Sequence, residues 1–185
     1  RALMGGILGL NQTHIRSIIA YSSITHLGWI IRALTIFKPY TCITYFLLYC
    51  IVVTPIFILL WLWNITNSNQ FTAVNATSPI LLLVLSILFL SLAGIPPLTG
   101  FLPKWLIITS LRSINPTLLL VLLMGSFINL FFYLSLTLNL ISSSTLLGKT
   151  STITVKITVA TLPILISVAG LGLIPILIYA MTLLN

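Results

Sequence analysis

The sequence predicts an all-α membrane protein with about five transmembrane helices plus the end of a sixth. One of the five is discontinuous, and residues 1–185 form a single transmembrane domain. Three observations predict this. The chain is 59% hydrophobic and only 4% charged, against roughly a quarter charged in a soluble domain, and its mean hydropathy is +1.24. Its apolar residues fall into runs long enough to cross a bilayer, which takes roughly 20 residues. One run, "SLAGIPPLTGFLPKWLIITSL" at 91–111, carries three prolines, two glycines and Lys104, and so cannot be one regular helix.

"RALMGGILGL" (1–10) is apolar but too short to span, and it lacks the layout of a signal peptide. It reads as the end of a helix whose start is missing, so the chain is expected to be a C-terminal fragment or one product of a split gene. "NQT" (11–13) is a turn. Helix one is expected over 13–37 and helix two over 40–63 with Pro55 inside it, a break that membrane neighbours can compensate. A polar uncharged loop covers 64–78, and the third span covers 79–112. "NP" (115–116) precedes helix four, 117–142. A Ser/Thr/Gly linker with Lys149 and Lys156 leads to helix five, 157–184, interrupted by Gly170, Gly172 and Pro175. Four tryptophans and several tyrosines supply candidate interfacial aromatics.

Charge excludes several functions. There are eight Lys and Arg and no Asp or Glu. The basic residues are scattered between apolar runs, which argues against nucleic acid as a partner. Without carboxylates the chain alone builds no carboxylate dyad, Ser-His-Asp triad or carboxylate metal site. Two cysteines cannot hold an iron–sulfur cluster. Cys42 and Cys50 lie about 12 Å apart along a helix, too far to bridge. Orientation stays open: Arg16, Lys149 and Lys156 fall on one side, Arg32, Lys38 and Arg112 on the other.

The third span holds about 34 residues where roughly 20 suffice. The excess is explained if 94–103 are partly unwound, with Gly94, Pro96, Pro97, Gly100 and Pro103 forming the break. Freed backbone groups are tolerable in lipid only against protein or a wet cavity. Lys104 lies about 12 Å in from Arg112, near mid-bilayer. Desolvation disfavours a charged ammonium there, so Lys104 is a candidate proton carrier; the alternative is a snorkelling anchor at the membrane edge.

His26 falls near the centre of helix one with Ser22 four residues before it, and Ser23 and Thr25 on adjacent faces. A histidine in a hydroxyl-lined stripe suits proton relay; a neutral structural histidine is the alternative. Asn129, central in helix four, suits interhelical hydrogen bonding and is also placed to satisfy a carbonyl freed at the break. Gly5 and Gly9 permit close helix approach. Sequons at Asn11, Asn64 and Asn75 fit chance in a chain this rich in Asn, Ser and Thr.

The blocks "GLNQTHIRSIIAYSSITHLGWI" (9–30), "SLAGIPPLTGFLPKW" (91–105) and "INLFFYL" (128–134) resemble, in order and spacing, signature blocks of the NADH dehydrogenase subunit 2 family. That family is a mitochondrially encoded, antiporter-like membrane subunit of respiratory complex I. The resemblance covers nearly the whole chain. It implies two inverted repeats, each with one broken helix; this chain would be the second repeat plus a final C-terminal helix. It implies that Lys104 is a key residue of the proton path across the membrane arm and that His26 belongs to its polar central axis; the residues themselves add Ser22, Ser23, Thr25 and Asn129 as the expected supporting polar path. It implies no redox site and no cofactor in this chain, with NADH, FMN, iron–sulfur clusters and ubiquinone bound by other subunits. Implied partners are other membrane-arm subunits, including adjacent antiporter-like ones, membrane lipids, and a separate chain if one supplies the missing N-terminal half. The implied location is the mitochondrial inner membrane with the C-terminus in the intermembrane space. Ser135 stands where an Arg often follows the third block, and Ser17 where a second basic residue is usual. Two alternatives remain: a cation/proton antiporter of the same superfamily, and a membrane scaffold that transports nothing.

Overall fold

The computed structural model describes residues 2–9, 12–36, 39–62, 64–67, 70, 79–96, 98–112 and 114–145. The expected helix at 157–184, the Lys149/Lys156 linker, Lys38, Pro97 and the sequons at Asn11 and Asn75 lie outside them. Six α-helices run through the described residues: α1 (Ala2–Gly9), α2 (Ile15–Thr35), α3 (Pro39–Leu62), α4 (Pro79–Ala93), α5 (Phe101–Leu111) and α6 (Pro116–Thr145).

Local chemistry sets most of the ends. Three helices begin on proline, Pro39, Pro79 and Pro116, where the ring fixes a helical φ and the missing N–H has no helical partner to lose. α2 is shorter than the expected 13–37. His14 is extended (φ −82°, ψ 121°) and pairs with Asn67, while the Ile15 amide donates to the Thr66 carbonyl at 3.0 Å. The turn before α2 is thus tied to the loop after α3.

α3 runs unbroken through Pro55. It ends in a left-handed residue, Asn64 (φ 51°), with Ile65 N–H donating to the Leu60 carbonyl (3.1 Å) and Asn64 N–H to that of Trp61 (3.2 Å). This is the Schellman pattern, and Ile65 and Leu60 share one apolar cluster, as the pattern favours.

α3 and α6 each have the length and apolarity to cross a membrane, with mean hydropathies of 2.5 and 2.2. α4 and α5, at 15 and 11 residues, are each too short alone. End to end they supply roughly 39 Å of helix for a ~30 Å core. The third span is therefore two half-helices, as expected, but its break is shorter than 94–103. Helix resumes at Phe101, so Pro103 sits in the first turn of α5, where a proline removes no helical hydrogen bond.

α1 packs against α2 and α6; α4 lies against α6 and α3; α5 is covered by α3 and α2. Two separate apolar clusters result. The larger joins Ile15–Ile19 of α2, Val52–Leu60 of α3, Leu82–Ala93 of α4 and Phe132–Leu140 of α6. The smaller joins Trp29, Ala33, Tyr45, Ile107, Leu111 and Leu122 at the other end. The outward faces of α3 and α6 are also apolar, for example Ile43, Phe46, Leu47, Met124, Phe127 and Phe131. A helix apolar all round belongs in a large protein core or a membrane span, and α3 and α6 leave that outer face uncovered by the described residues.

Candidate functional site at the broken helix

Between the two apolar clusters lies a layer of buried polar side chains: Ser22, Thr25 and His26 on α2, Ser91 on α4, Thr99 in the break, Lys104 on α5 and Asn129 on α6. Of the expected site, Lys104, His26, Ser22, Thr25 and Asn129 are all buried in this layer, and among them the side chains of Thr25 and Asn129 bond each other. Ser23 is half-buried, donates to the Ala20 carbonyl at 2.6 Å and also meets the side chain of Tyr49, the ring beside His26.

The break explains where the lysine goes. An α-helical carbonyl accepts from the N–H four residues on. For Leu92 and Ala93 those residues are Pro96 and Pro97, which have none. The two carbonyls before them are closed by a Schellman turn. Gly94 (φ +84°) sends its N–H to the Ser91 carbonyl (3.0 Å), and Ile95 sends its own to Leu90 (3.4 Å). Lys104 then donates from Nζ to the Ala93 carbonyl at 2.8 Å. Its side chain runs back toward the N-terminus of α5, as helical side chains do, and places an ammonium at the negative end of α4. Lys104 is only 6% exposed.

The glycines make this possible. A Cβ on Gly94 would lie 2.6 Å from Lys104 Nζ, and one on Gly100 would overlap the Ser91 carbonyl oxygen. Ser91 Oγ bonds Thr99 Oγ1 (3.0 Å) and accepts from the Gly100 amide (3.4 Å). The linking segment is thereby folded against the end of α4. Pro96 is exposed at its outer edge.

His26 is 5% exposed. Its Nδ1 lies 2.9 Å from Tyr45 Oη, and the Tyr49 ring sits 4.9 Å from its own. Nε2 has no hydrogen-bond partner among the described residues. A small cavity of about 10 Å³ runs between His26, Tyr45 and Tyr49 on one side and Leu92, Gly100 and Pro103 on the other.

The other buried hydroxyls of α2 end on backbone. Tyr133 donates to Ser22 (2.5 Å), which donates to the Ile19 carbonyl (2.8 Å). Asn129 Nδ2 donates to Thr25 Oγ1, which donates to the Ser22 carbonyl (2.7 Å). Asn129 therefore joins α6 to α2 and does not serve a carbonyl at the break. Its Oδ1 has no partner among the described residues.

Sequence reasoning missed Tyr45, Tyr133, Ser91 and Thr99. Tyr133 had a signal, lying one helical turn after Asn129 on the same face. The others had none.

Comparison with known proteins agrees with this architecture. The NADH:quinone oxidoreductase/Mrp antiporter transmembrane family matches residues 1–129, which include His26, Lys104 and Asn129. Relatives named NADH-ubiquinone oxidoreductase chain 2 occur in Lumbricus terrestris (42% identical over 135 residues, 73% of this chain and 40% of the relative). Mus musculus has one at 43% over 131 residues (70% and 38%), and Danio rerio one at 36% over 179 residues (95% and 51%). The chain spans about half or less of the length of these relatives. A family match over more than two thirds of the residues, on a helical bundle with a broken span and a buried lysine at the break, shows that the chain belongs to the NADH:quinone oxidoreductase/Mrp antiporter transmembrane family.

Proposed function

We propose that this chain is part of a membrane-arm subunit of proton-pumping NADH:ubiquinone oxidoreductase, in the mitochondrial inner membrane, and that Lys104 and His26 carry its share of proton translocation. One observation supports this most: a lysine amine buried at the Ala93 carbonyl, inside a broken span and between two apolar clusters. Desolvation opposes its charge while the end of α4 favours it. A titratable group in such surroundings is a functional-site candidate. His26 is the second titratable group of the layer, and Ser22, Thr25 and Asn129 hold α2 and α6 around it, with Ser23 on the adjacent face. Electron transfer from NADH to ubiquinone, through FMN and iron–sulfur clusters, belongs to other subunits. Partners are the other membrane-arm subunits, adjacent antiporter-like ones among them, and lipids. The C-terminus faces the intermembrane space.

The test is Lys104→Met in the assembled complex in vesicles, measuring NADH oxidation and proton uptake together. Met preserves most of the side-chain volume and removes the amine. The expected result is normal assembly with proton movement per NADH reduced. Near-normal pumping with normal assembly would favour a scaffold instead. The antiporter reading needs cation ligands, and this chain offers no carboxylate for them; sodium-dependent proton exchange by vesicles lacking NADH would support it.

A further inference from the structure

The hydrogen bond between His26 Nδ1 and Tyr45 Oη has two possible directions, and burial separates them. If the imidazole donates from Nδ1, the tyrosine O–H is left without an acceptor among the described residues, and Nε2 is left as a bare acceptor. Two buried groups then go unpaired. If the tyrosine donates, its own hydrogen is used and only the Nε2–H remains. Buried polar groups resist being unpaired, so the second arrangement is favoured. Tyr45 is held firmly enough to impose it: it is 1% exposed and packs with Trp29, Ile107 and Leu111.

We propose that Tyr45 is a positioning residue for His26: its hydroxyl donates to Nδ1, holds the neutral ring as the Nε2–H tautomer, and leaves that N–H as the ring's available donor at the edge of the cavity beside Gly100 and Pro103. The cavity, about 10 Å³, is the size of a single water. Tyr49 flanks the imidazole at 4.9 Å and restrains its tilt. Tyr45 touches no transported proton directly; it decides which nitrogen carries one. The consequence for transport rests on the proposed role of His26, but the tautomer is readable without pumping.

The chain has two histidines, His14 and His26, so ¹⁵N-histidine gives two ring signatures. The experiment is solid-state NMR of the full chain in lipid bilayers at neutral pH, with His14→Gln assigning His26. The expected wild-type result is a single neutral tautomer, protonated at Nε2, with Nδ1 correlated to a hydroxyl proton. Tyr45→Phe keeps the packed ring and removes the hydroxyl; the expected result is loss of the single tautomer and of that correlation. An Nδ1–H tautomer or an imidazolium in the wild type overturns the proposal, whether or not the variant folds. So does an unchanged Nε2–H signature in Tyr45→Phe. Normal pumping by Lys104→Met would sink the proton-path reading and leave this result standing.

Discussion

Gly94 shows how much one residue decides. It must take φ +84° to close the end of α4, and it must lack a side chain for Lys104 to reach the Ala93 carbonyl. Gly94→Ala is expected to cost roughly 1–3 kcal/mol from backbone strain alone. It should also displace the ammonium, so the Gly94→Ala and Lys104→Met effects on thermal stability should be less than additive; strict additivity would show that the glycine does not serve the lysine. Asn129→Leu tests a different bond. It removes the contact to Thr25 between α6 and α2, worth about 0.6–1.7 kcal/mol in a membrane bundle. Unfolding of the single variants and of the Asn129→Leu/Thr25→Val pair would measure it, and a coupling of zero would mean that the bond contributes nothing.

At the scale of elements, α1 is the informative case. It is only eight residues long, and it is held between α2 and α6 by glycines. A Cβ at Gly5 would lie 2.7 Å from the Tyr21 carbonyl oxygen, and one at Gly9 would lie 2.9 Å from the Phe132 ring. The obstacles differ in kind. A backbone carbonyl in α2 cannot retreat without moving the helix, while the ring of Phe132 can turn. Gly5→Ala should therefore destabilise more than Gly9→Ala, with the larger effect in the roughly 1–3 kcal/mol range of overpacking. Equal stability losses would show that α1 is not seated as described. The expectation of close helix approach at Gly5 and Gly9 was correct in kind, but the approach is to two different helices, which the spacing alone cannot reveal.

For the whole molecule, the chain path makes a topological prediction. α2 and α3 are joined near Ile36–Pro39, and α5 and α6 near Arg112–Pro116; both turns lie at the end of the small apolar cluster. The 12–14 turn and the 64–67 loop lie at the other end, tied by the Ile15–Thr66 bond. Thr13 and Asn115 are both exposed. In a background lacking Cys42 and Cys50, Thr13→Cys and Asn115→Cys should react with an impermeant maleimide from opposite faces of sealed vesicles. Labelling of both from one face would refute the arrangement.

The membrane class, the number and rough bounds of the helices in the described region, the broken span and the lysine beside it were legible in the order of residues. These depend on local chemistry: apolar run length, prolines that start helices at Pro39, Pro79 and Pro116, and prolines that withdraw donors from Leu92 and Ala93. Even here the end of the break was misjudged, because a proline at position 103 is equally at home in a loop and in a first helical turn. Which side chains meet was not legible in that order and emerges from the packed fold. His26 with Tyr45, Ser22 with Tyr133, and Thr25 with Asn129 are pairs 19, 111 and 104 residues apart. The physical reason is the solvent. In water an apolar stripe marks the buried face of a helix; in lipid both the outer and the inner face are apolar, so hydrophobic periodicity no longer fixes the rotation of α2, α3 and α6. Packing fixes it, through small residues, hydroxyls and one buried amine.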